Sequence, residues 1–395
     1  MFSAERDCIV FMAIKITDPA ACCGCTACAS SCAHKAIVMT ADKKGFEYPI
    51  VNSCLCVECG LCEKVCPFHD DYDSFGNRPV PEYYAVRCLD NVELGKSQSG
   101  GAFYLLAREI LEQDGVVYGA AFGDGFRVEH QRAETKVDCD RQRGSKYVQS
   151  SLLNIFSLVR QDLHDCRKVL FCGTPCQVAG LRSFLGKRRT QSLTTVDLFC
   201  HGVASPLFWD NYLKMIEQSK HSRIDEVRMR DKRYGWLSSD ETYVLENKKE
   251  VHKNTFYSLY YAGLISRESC FHCPFANERR VGDISIGDYH GWNTYHDQFT
   301  DNTGMSLVLV NSGNGKSLLE AMSVRKDVFC ESTDVKDTVH VALSSPAKMS
   351  NDYERFWSDF YHRGCKFVCK KYGDMSWRTQ LHVRLYNLFC RNKLR

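Results

Sequence analysis

Three things are scarce in this sequence, and each scarcity removes a class of function. The first is net charge: 51 lysines and arginines face 48 aspartates and glutamates, leaving +3. So small a balance provides no bulk field for a nucleic-acid groove or a strongly acidic partner, and no nucleic acid is expected among its partners. The second is a long apolar run. The N-terminus, MFSAERDCIVFMAIKITDP, mixes charges from the start, and its apolar stretch over 8–14 is too brief for a signal peptide or a membrane span. No other stretch is suited to crossing a bilayer, and the chain is expected in the cytoplasm. Met12 is an alternative to Met1 as the true start, because the first cysteine motif begins only ten residues later.

The third scarcity is recognisable acid–base or nucleophilic machinery. No Ser/His/Asp array and no paired carboxylates stand out, so a proton donor cannot be named. A phosphate-binding P-loop is missing as well. LVNSGNGKSLLE sets Gly315, Lys316 and Ser317 ahead of a helix, but the glycine required five residues before Gly315 is Val310. The stretch reads as a turn.

What is abundant is cysteine, 23 among 395 residues, in a composition otherwise ordinary for a globular protein of one large core plus a smaller module. A disulfide scaffold of secreted type needs a signal peptide and is usually short. Reduced, clustered thiols point to metal instead.

CCGCTACASSC places Cys22, Cys25, Cys28 and Cys32 at C-x2-C-x2-C-x3-C spacing, and CVECGLCEKVCP repeats it with Cys56, Cys59, Cys62 and Cys66. Three sulfurs within seven residues wrap one iron–sulfur cube, while the fourth points away to the other cube. Two [4Fe–4S] clusters with crossed ligation are expected, Cys22, Cys25, Cys28 and Cys66 on one and Cys56, Cys59, Cys62 and Cys32 on the other. Zinc is the competing reading, but a compact triple plus a fourth cysteine makes a poor tetrahedral site. AIVMTADKKGFEYPIVN between the motifs reads as two short strands around a Lys-Lys-Gly turn. Residues 14–68 resemble the bacterial-type ferredoxin domain, with Ala33 where a proline usually follows the fourth cysteine. Cys23 and Cys54, off the ligand spacing, read as bystanders packed near the clusters.

An acidic stretch with two prolines, over 69–82, reads as a linker. From 83 onward strands alternate with helices, so the fold class is α/β (α+β overall): a small ferredoxin-like domain, then a larger α/β domain over 83–345. Phe103, Leu106, Ile110 and Leu111 share one helical face, and GVVYGAAF reads as a buried strand. KSQSGG, GSKYVQSS and GTPCQ look like three helix lead-ins, the last with Pro175 at the first helical position. Glycine- and serine-rich helix starts cap helices, and they also cradle pyrophosphates, with Lys96 and Lys146 adding charge.

A second cysteine pair stands apart. Cys270 and Cys273 in CFHCPF form a CxxC with no neighbouring partner. Cys176 lies in the first turn of a helix, where the dipole favours thiolate, and Cys200 closes a strand. Strand C-termini line the ligand crevice of an α/β sheet, so these four sulfurs are candidates for a third [4Fe–4S] cluster, with Cys172 in reserve. On spacing alone the better reading is a zinc-clipped loop, with His272 and His290 available to it, or a pair that binds nothing.

KSQSGG, GTPCQ, DLFCHG and CFHCPFANERRVGDISIGDYHGW follow one another in an order that resembles the family of coenzyme F420 hydrogenase/dehydrogenase beta subunits, over most of 83–345. That resemblance implies an FAD-binding domain with a [4Fe–4S] cluster on Cys176, Cys200, Cys270 and Cys273. It implies hydride exchange between the flavin and coenzyme F420 or another small organic acceptor. Flavin contacts are expected from Ser97, Ser99, Gly100, Gly101, Lys146, Tyr147, Thr174 and Gln177, with GDISIGDYHG near the same pocket. RMRDKRYGW reads either as an anion-binding stretch or as a solvated strand and turn.

The expected protein is an iron–sulfur flavin-dependent oxidoreductase working with a redox partner protein or ferredoxin. Two alternatives are kept: a non-catalytic electron carrier or adaptor with a zinc-clipped second domain, and the flavin subunit of a larger redox complex. The tail, 346–395, is expected to be helical, with Leu381, Leu385, Leu388 and Phe389 on one face. That helix packs on the body or, less in keeping with its pattern, rests on a membrane surface. Cys8, Cys88, Cys139, Cys166, Cys330, Cys365, Cys369 and Cys390 have no partner motif and read as small buried hydrophobes.

Overall fold

The computed structural model describes residues 13–68, 77, 80–186, 191–292, 296, 298–334 and 340–373. Most of the 69–82 linker, Met12, Cys8, and the C-terminal helix expected around Leu381 to Phe389 with Cys390 lie outside the described residues.

At the front, α1 (Ala27–Ser31) and α2 (Leu61–Lys64) each follow one cysteine loop, and β1 (Ile37–Ala41) and β2 (Glu47–Val51) form the expected antiparallel hairpin between them. Both loops enter their helix through a left-handed residue, Thr26 at φ 65° and Gly60 at φ 68°. The sequence repeat is therefore also a backbone repeat.

The larger part begins with β3 (Glu82–Cys88), α3 (Asn91–Lys96), α4 (Ala102–Leu111), β4 (Val116–Phe122), β5 (Val128–Ala133) and α5 (Lys136–Asp140). It continues through α6 (Ile155–His164), β6 (Val169–Gly173), α7 (Pro175–Leu185), β7 (Leu193–Leu198), α8 (Pro206–Lys220), β8 (Ile224–Arg228), β9 (Glu241–Leu245), β10 (Glu250–Lys253) and α9 (Thr255–Tyr261). β11 (Ile284–Asp288), β12 (Ser306–Val310), α10 (Gly313–Ser323), β13 (Val328–Ser332), α11 (Tyr353–Arg363) and α12 (Cys365–Tyr372) complete the described chain.

Eight strands form one sheet in the order β13-β3-β12-β11-β7-β6-β4-β5. Its middle, β11-β7-β6-β4, is parallel, and every pairing outside it is antiparallel. β6 is buried along its whole length, as expected of a parallel strand covered on both faces. Alternate residues serve opposite layers. Val169 and Phe171 pack towards Phe156 of α6 and Val178 of α7, whereas Leu170 packs towards Leu106 of α4 and Leu318 of α10.

A smaller antiparallel sheet, β10-β9-β8, packs with α8, α9, α11 and α12 around Phe208, Trp209, Tyr212, Tyr243, Phe256, Phe356 and Trp357. Burying each such side chain contributes on the order of 1.5–3 kcal/mol. The segment after 345 is thus, over 353–372, two helices built into this aromatic core.

Pro175 opens α7 as expected, and Gly101 precedes α4. GSKYVQSS is not a helix cap: Val148 and Ser151 bridge to Ala204 and Glu129, and α6 starts only at Ile155. Backbone pairing with neighbours on both sides holds that stretch extended.

The front module is docked on the α/β part. α1 lies against α7, where a Cβ on Gly180 would stand 2.7 Å from Cys25 Sγ. The hairpin turn inserts buried Lys44, whose ammonium pairs with Glu268 at 2.7 Å and lies 4.3 Å from the Tyr353 ring centroid.

Candidate cluster and cofactor sites

The front loops hold their sulfurs in a repeated manner. Gly24 N donates to Cys22 Sγ and Glu58 N to Cys56 Sγ, each at 3.4 Å. Ala36 N donates to Cys32 Sγ and Ile14 N to Cys62 Sγ, each at 3.3 Å. Such N–H···S bonds are the usual means by which a protein tunes cluster ligands. Cys28 is pushed up to about 12, by burial and then by Cys22 and Cys66. Burial likewise raises Cys66, with Cys22 and Cys62 adding to it. Cys66, from the second loop, therefore lies among the thiols of the first, where crossed ligation needs it. Cys25 is buried and Cys59 is exposed, so the two loops differ in solvent access. Cys54 and Cys166 are exposed, contrary to their reading as buried bystanders.

Cys176, Cys200, Cys270 and Cys273 surround one small cavity of about 30 Å3. They come from three separate places: Cys176 from the first turn of α7, Cys200 just beyond β7, and the CxxC pair from a 3-10 turn over Glu268–His272. Gly202 N donates to Cys200 Sγ at 3.3 Å. Burial pushes Cys200 up to about 12, with Cys176 and Cys273 adding to it, and burial with Cys176 does the same for Cys273. Cys176 is not made acidic by its helix terminus. Its hydrogen bond with Cys23, then burial, holds it well above the ordinary thiol value. Four mutually repelling buried thiols ionise together only if a cationic centre compensates them, and an iron–sulfur core supplies that compensation. Among the described residues no three His, Cys, Asp or Glu side chains converge closely enough for a single metal ion. His272 is exposed and His290 lines a different cavity.

That second cavity, of about 250 Å3 and partly open, sits at the C-terminal ends of the parallel strands β4, β6, β7 and β11. This is the usual ligand crevice of such sheets, and the volume lies near the lower end of ordinary small-molecule sites. Ser97, Ser99, Gly101, Lys146, Tyr147, Thr174 and Gln177 all line it. Gly100 does not. Its N donates to Ser306 Oγ at 2.9 Å, and a Cβ there would strike Val86 O, so it lets the loop lie flat on the sheet. Thr174 and Gln177 also cap α7, Thr174 N donating to Gln177 Oε1 at 3.0 Å. Lys96 pairs with Glu93 instead, and Cys172 faces this cavity, not the cysteine one.

Several wall residues escaped the sequence reading. Asp288, at the end of β11, accepts from Ser99 Oγ, from Arg230 Nη1 at 2.7 Å and from Trp236 Nε1 at 3.1 Å. Burial opposes its charge, but Arg230, Ser99 and Trp236 hold it at about 2. Lys232 Nζ donates to Leu94 O, Ser97 O and Ser99 O at 2.9, 3.1 and 2.7 Å, pinning the 97–101 loop. RMRDKRYGW is thus part of the cavity wall. His201, His290 and His340 gather on one side, their ring centroids 5.1 and 5.2 Å from His340. Burial, then His201 and His290, pushes His340 down to about 3, so it is neutral at physiological pH. Lys146 is pushed down to about 7 by burial, its ammonium donating to Arg143 O and Gly144 O. Asp288 and His290 lie in the GDISIGDYHG stretch and His201 in DLFCHG, whereas nothing local marked His340.

Cys200, Gly202 and Val203 line both cavities. The four-cysteine site and the larger crevice therefore share one wall.

Residues 166–336 match the family model that describes the C terminus of the coenzyme F420 hydrogenase/dehydrogenase beta subunit, and residues 21–69 match the 4Fe-4S dicluster domain. One subunit of the F(420)H(2) dehydrogenase from Methanosarcina mazei is 22% identical over 290 residues, covering 69% of this chain and 78% of that protein. A chain of the F420-reducing [NiFe] hydrogenase complex from Methanosarcina barkeri aligns with a TM-score of 0.46 at 18% identity, covering 77% of this chain and 94% of that one. No helix among the described residues is long and apolar enough to cross a membrane.

Proposed function

We propose that this chain, whose residues 166–336 match the C-terminal model of coenzyme F420 hydrogenase/dehydrogenase beta subunits and whose residues 21–69 match a 4Fe-4S dicluster domain, is a cytoplasmic iron–sulfur flavoprotein oxidoreductase. Cys22, Cys25, Cys28 and Cys66 would hold one [4Fe–4S] cluster, Cys56, Cys59, Cys62 and Cys32 the second, and Cys176, Cys200, Cys270 and Cys273 a third. FAD would occupy the larger crevice. When bound, the clusters would supply single electrons and the flavin would supply hydride chemistry toward coenzyme F420 or another small organic acceptor.

The observation that carries this reading is the wall shared through Cys200, which sets a four-thiol site directly against a ligand-sized crevice. The chain's own residues have definable tasks there. Lys232 fixes the serine–glycine loop, and Arg230 keeps Asp288 ionised and oriented. Lys146, whose ammonium donates to two backbone carbonyls, offers positive charge to a phosphate or carboxylate. The three imidazoles form one face of the crevice, where their ring nitrogens can hydrogen-bond a bound ligand. Four cysteines about one cavity, with His272 outside it, favour a cluster over a zinc clip.

A role as the flavin subunit of a larger complex has its own support. The Methanosarcina mazei relative is named as a subunit, and Leu55, Val57 and Leu61 are exposed around the second cysteine loop, as a docking face for a redox partner protein requires.

Anaerobic purification with iron, zinc and flavin analysis tests the proposal. About twelve irons, four per cluster, with one FAD are expected. Cys273→Ser should lose about four irons and flavin reduction, while both front clusters keep their spectra. Eight irons with bound zinc and no flavin would overturn it.

A further inference from the structure

Cys23, outside the ligand spacing, is the fifth cysteine around the four-thiol cavity. It is 7% exposed, lines that cavity with Cys176, Cys200, Cys270 and Cys273, and packs in one buried cluster with Cys25, Cys176 and Cys273. Its backbone neighbours are Cys22 on one side and, past Gly24, Cys25 on the other. The segment is clamped in place: Arg267 Nε donates to Cys22 O at 2.8 Å, and Gln149 Nε2 donates to Cys23 O at 3.1 Å. Cys25 Sγ, meanwhile, rests on the bare Cα of Gly180 in α7. The second loop has no such seat, with Leu55, Val57, Cys59 and Leu61 all exposed.

We propose that Cys23 is the contact that couples the first front cluster to the third, and that it fixes the order of the electron relay. The order runs from the exposed second-loop cluster, to the first-loop cluster, across Cys23 to the cluster on Cys176, and on to the crevice. This rests on the cluster assignments above. One electron leaves the reduced first-loop cluster and one enters the third, and no bond or proton changes hands. Cys22 and Cys23 are covalently adjacent, so the path from a first-loop sulfur to Cys176 crosses a single non-covalent contact, that of Cys23 with Cys176 in the wall of the small cavity. With Cys25 and Cys176 both ligated as thiolates, the Cys23 thiol between them carries the one proton available for donation to a ligand sulfur. A donor to a ligand sulfur stabilises the reduced cluster and raises its potential. Cys23 is thus a positioning residue that acts through Cys176.

The test uses the full chain, prepared anaerobically as Cys23→Ala, Cys23→Val and Cys23→Ser. Iron content, the third cluster's midpoint potential by EPR titration, and its reduction by a reduced ferredoxin in freeze-quench EPR are measured. Alanine and valine should keep all the iron, lower the third cluster's potential and slow its reduction several-fold. Serine, which retains a donor, should match the wild type in all three. Valine preserves the volume, so its agreement with alanine separates the lost donor from a packing gap. Unchanged potential and rate in alanine and valine would overturn the inference, and so would loss of a cluster's iron in the serine variant, which would make Cys23 a ligand. Wild-type protein with only eight irons would instead overturn the third cluster itself, whatever the Cys23 variants do.

Discussion

Arg267 is the residue whose replacement most directly tests how the cysteine modules are held together. Its guanidinium is fully buried and donates to Cys22 O at 2.8 Å, to Gln149 Oε1 at 2.9 Å and to Glu47 O at 2.9 Å, while stacking 4.2 Å from the Tyr48 ring centroid. Three residues further on comes Cys270, so one side chain ties the first loop, the hairpin and the CxxC turn to one another. Arg267→Met keeps the apolar stem and removes the donors. Hydrogen bonds to charged groups are worth about 1.5–3 kcal/mol each, but they share one cation whose burial is itself costly, so simple addition overshoots. A net loss of about 3 kcal/mol is expected, because buried neutral acceptors lose their donor while the cost of burying the cation is relieved. The loss falls on docking of the front module, because the cores of the two parts do not include Arg267. Anaerobic thermal unfolding should therefore split: cluster absorbance disappears at a lower temperature than in the wild type, while tryptophan fluorescence, dominated by the aromatic core around Trp209 and Trp357, shifts much less. A single transition at the wild-type temperature in both signals would refute the clamp.

Two further outcomes follow from buried groups elsewhere. Glu241 accepts from Tyr257 N at 2.7 Å and Tyr243 Oη at 2.8 Å, and burial pushes it up from its ordinary 4.5 to about 7. The folded state thus prefers the protonated acid, so the stability it contributes is present below about 4.5 and is lost as pH rises through about 7. Glu241→Gln should leave the melting temperature near wild type at pH 5 and raise it at pH 8, and a uniform change across that range would count against the reasoning. Lys232→Met frees the carbonyls of Ser97 and Ser99 in the 97–101 loop, and that of Leu94 before it, from their donor. Flavin should be retained less tightly on gel filtration with iron content unchanged, whereas equal loss of iron and flavin would point to general unfolding.

The front module was the most legible part of the chain, because its information is local. Ligand spacing, a left-handed residue before each short helix and a two-strand hairpin are all set within a few residues of one another. GTPCQ was legible for the same reason, a proline at the first helical position following a strand. GSKYVQSS misled: its serines and glycine look like a cap, yet its backbone partners, Ala204 and Glu129, are far away in sequence. His340 was equally hidden, since a lone histidine has no local signature, and it meets His201 of DLFCHG only because the segment beginning at 340 lies beside the end of β7.

By itself the sequence determined the chemistry on offer: which cysteines are spaced for iron–sulfur cubes and which helix starts are rich in serine and glycine. Only the tertiary structure decided which distant groups share a site. Cys176 follows β6 and Cys200 follows the neighbouring parallel strand β7, while the Cys270–Cys273 pair is carried to the same edge by the bridge between Ala204 and Ser266 and by Arg267 N donating to Val203 O. Parallel pairing brings the ends of strands that are remote in sequence to one edge, and that edge is where the four sulfurs, the crevice and Cys23 meet. Cys23 makes the point most sharply. Read along the chain it is a spare thiol beside a ligand; seated against α7 it becomes the contact between two parts of the molecule.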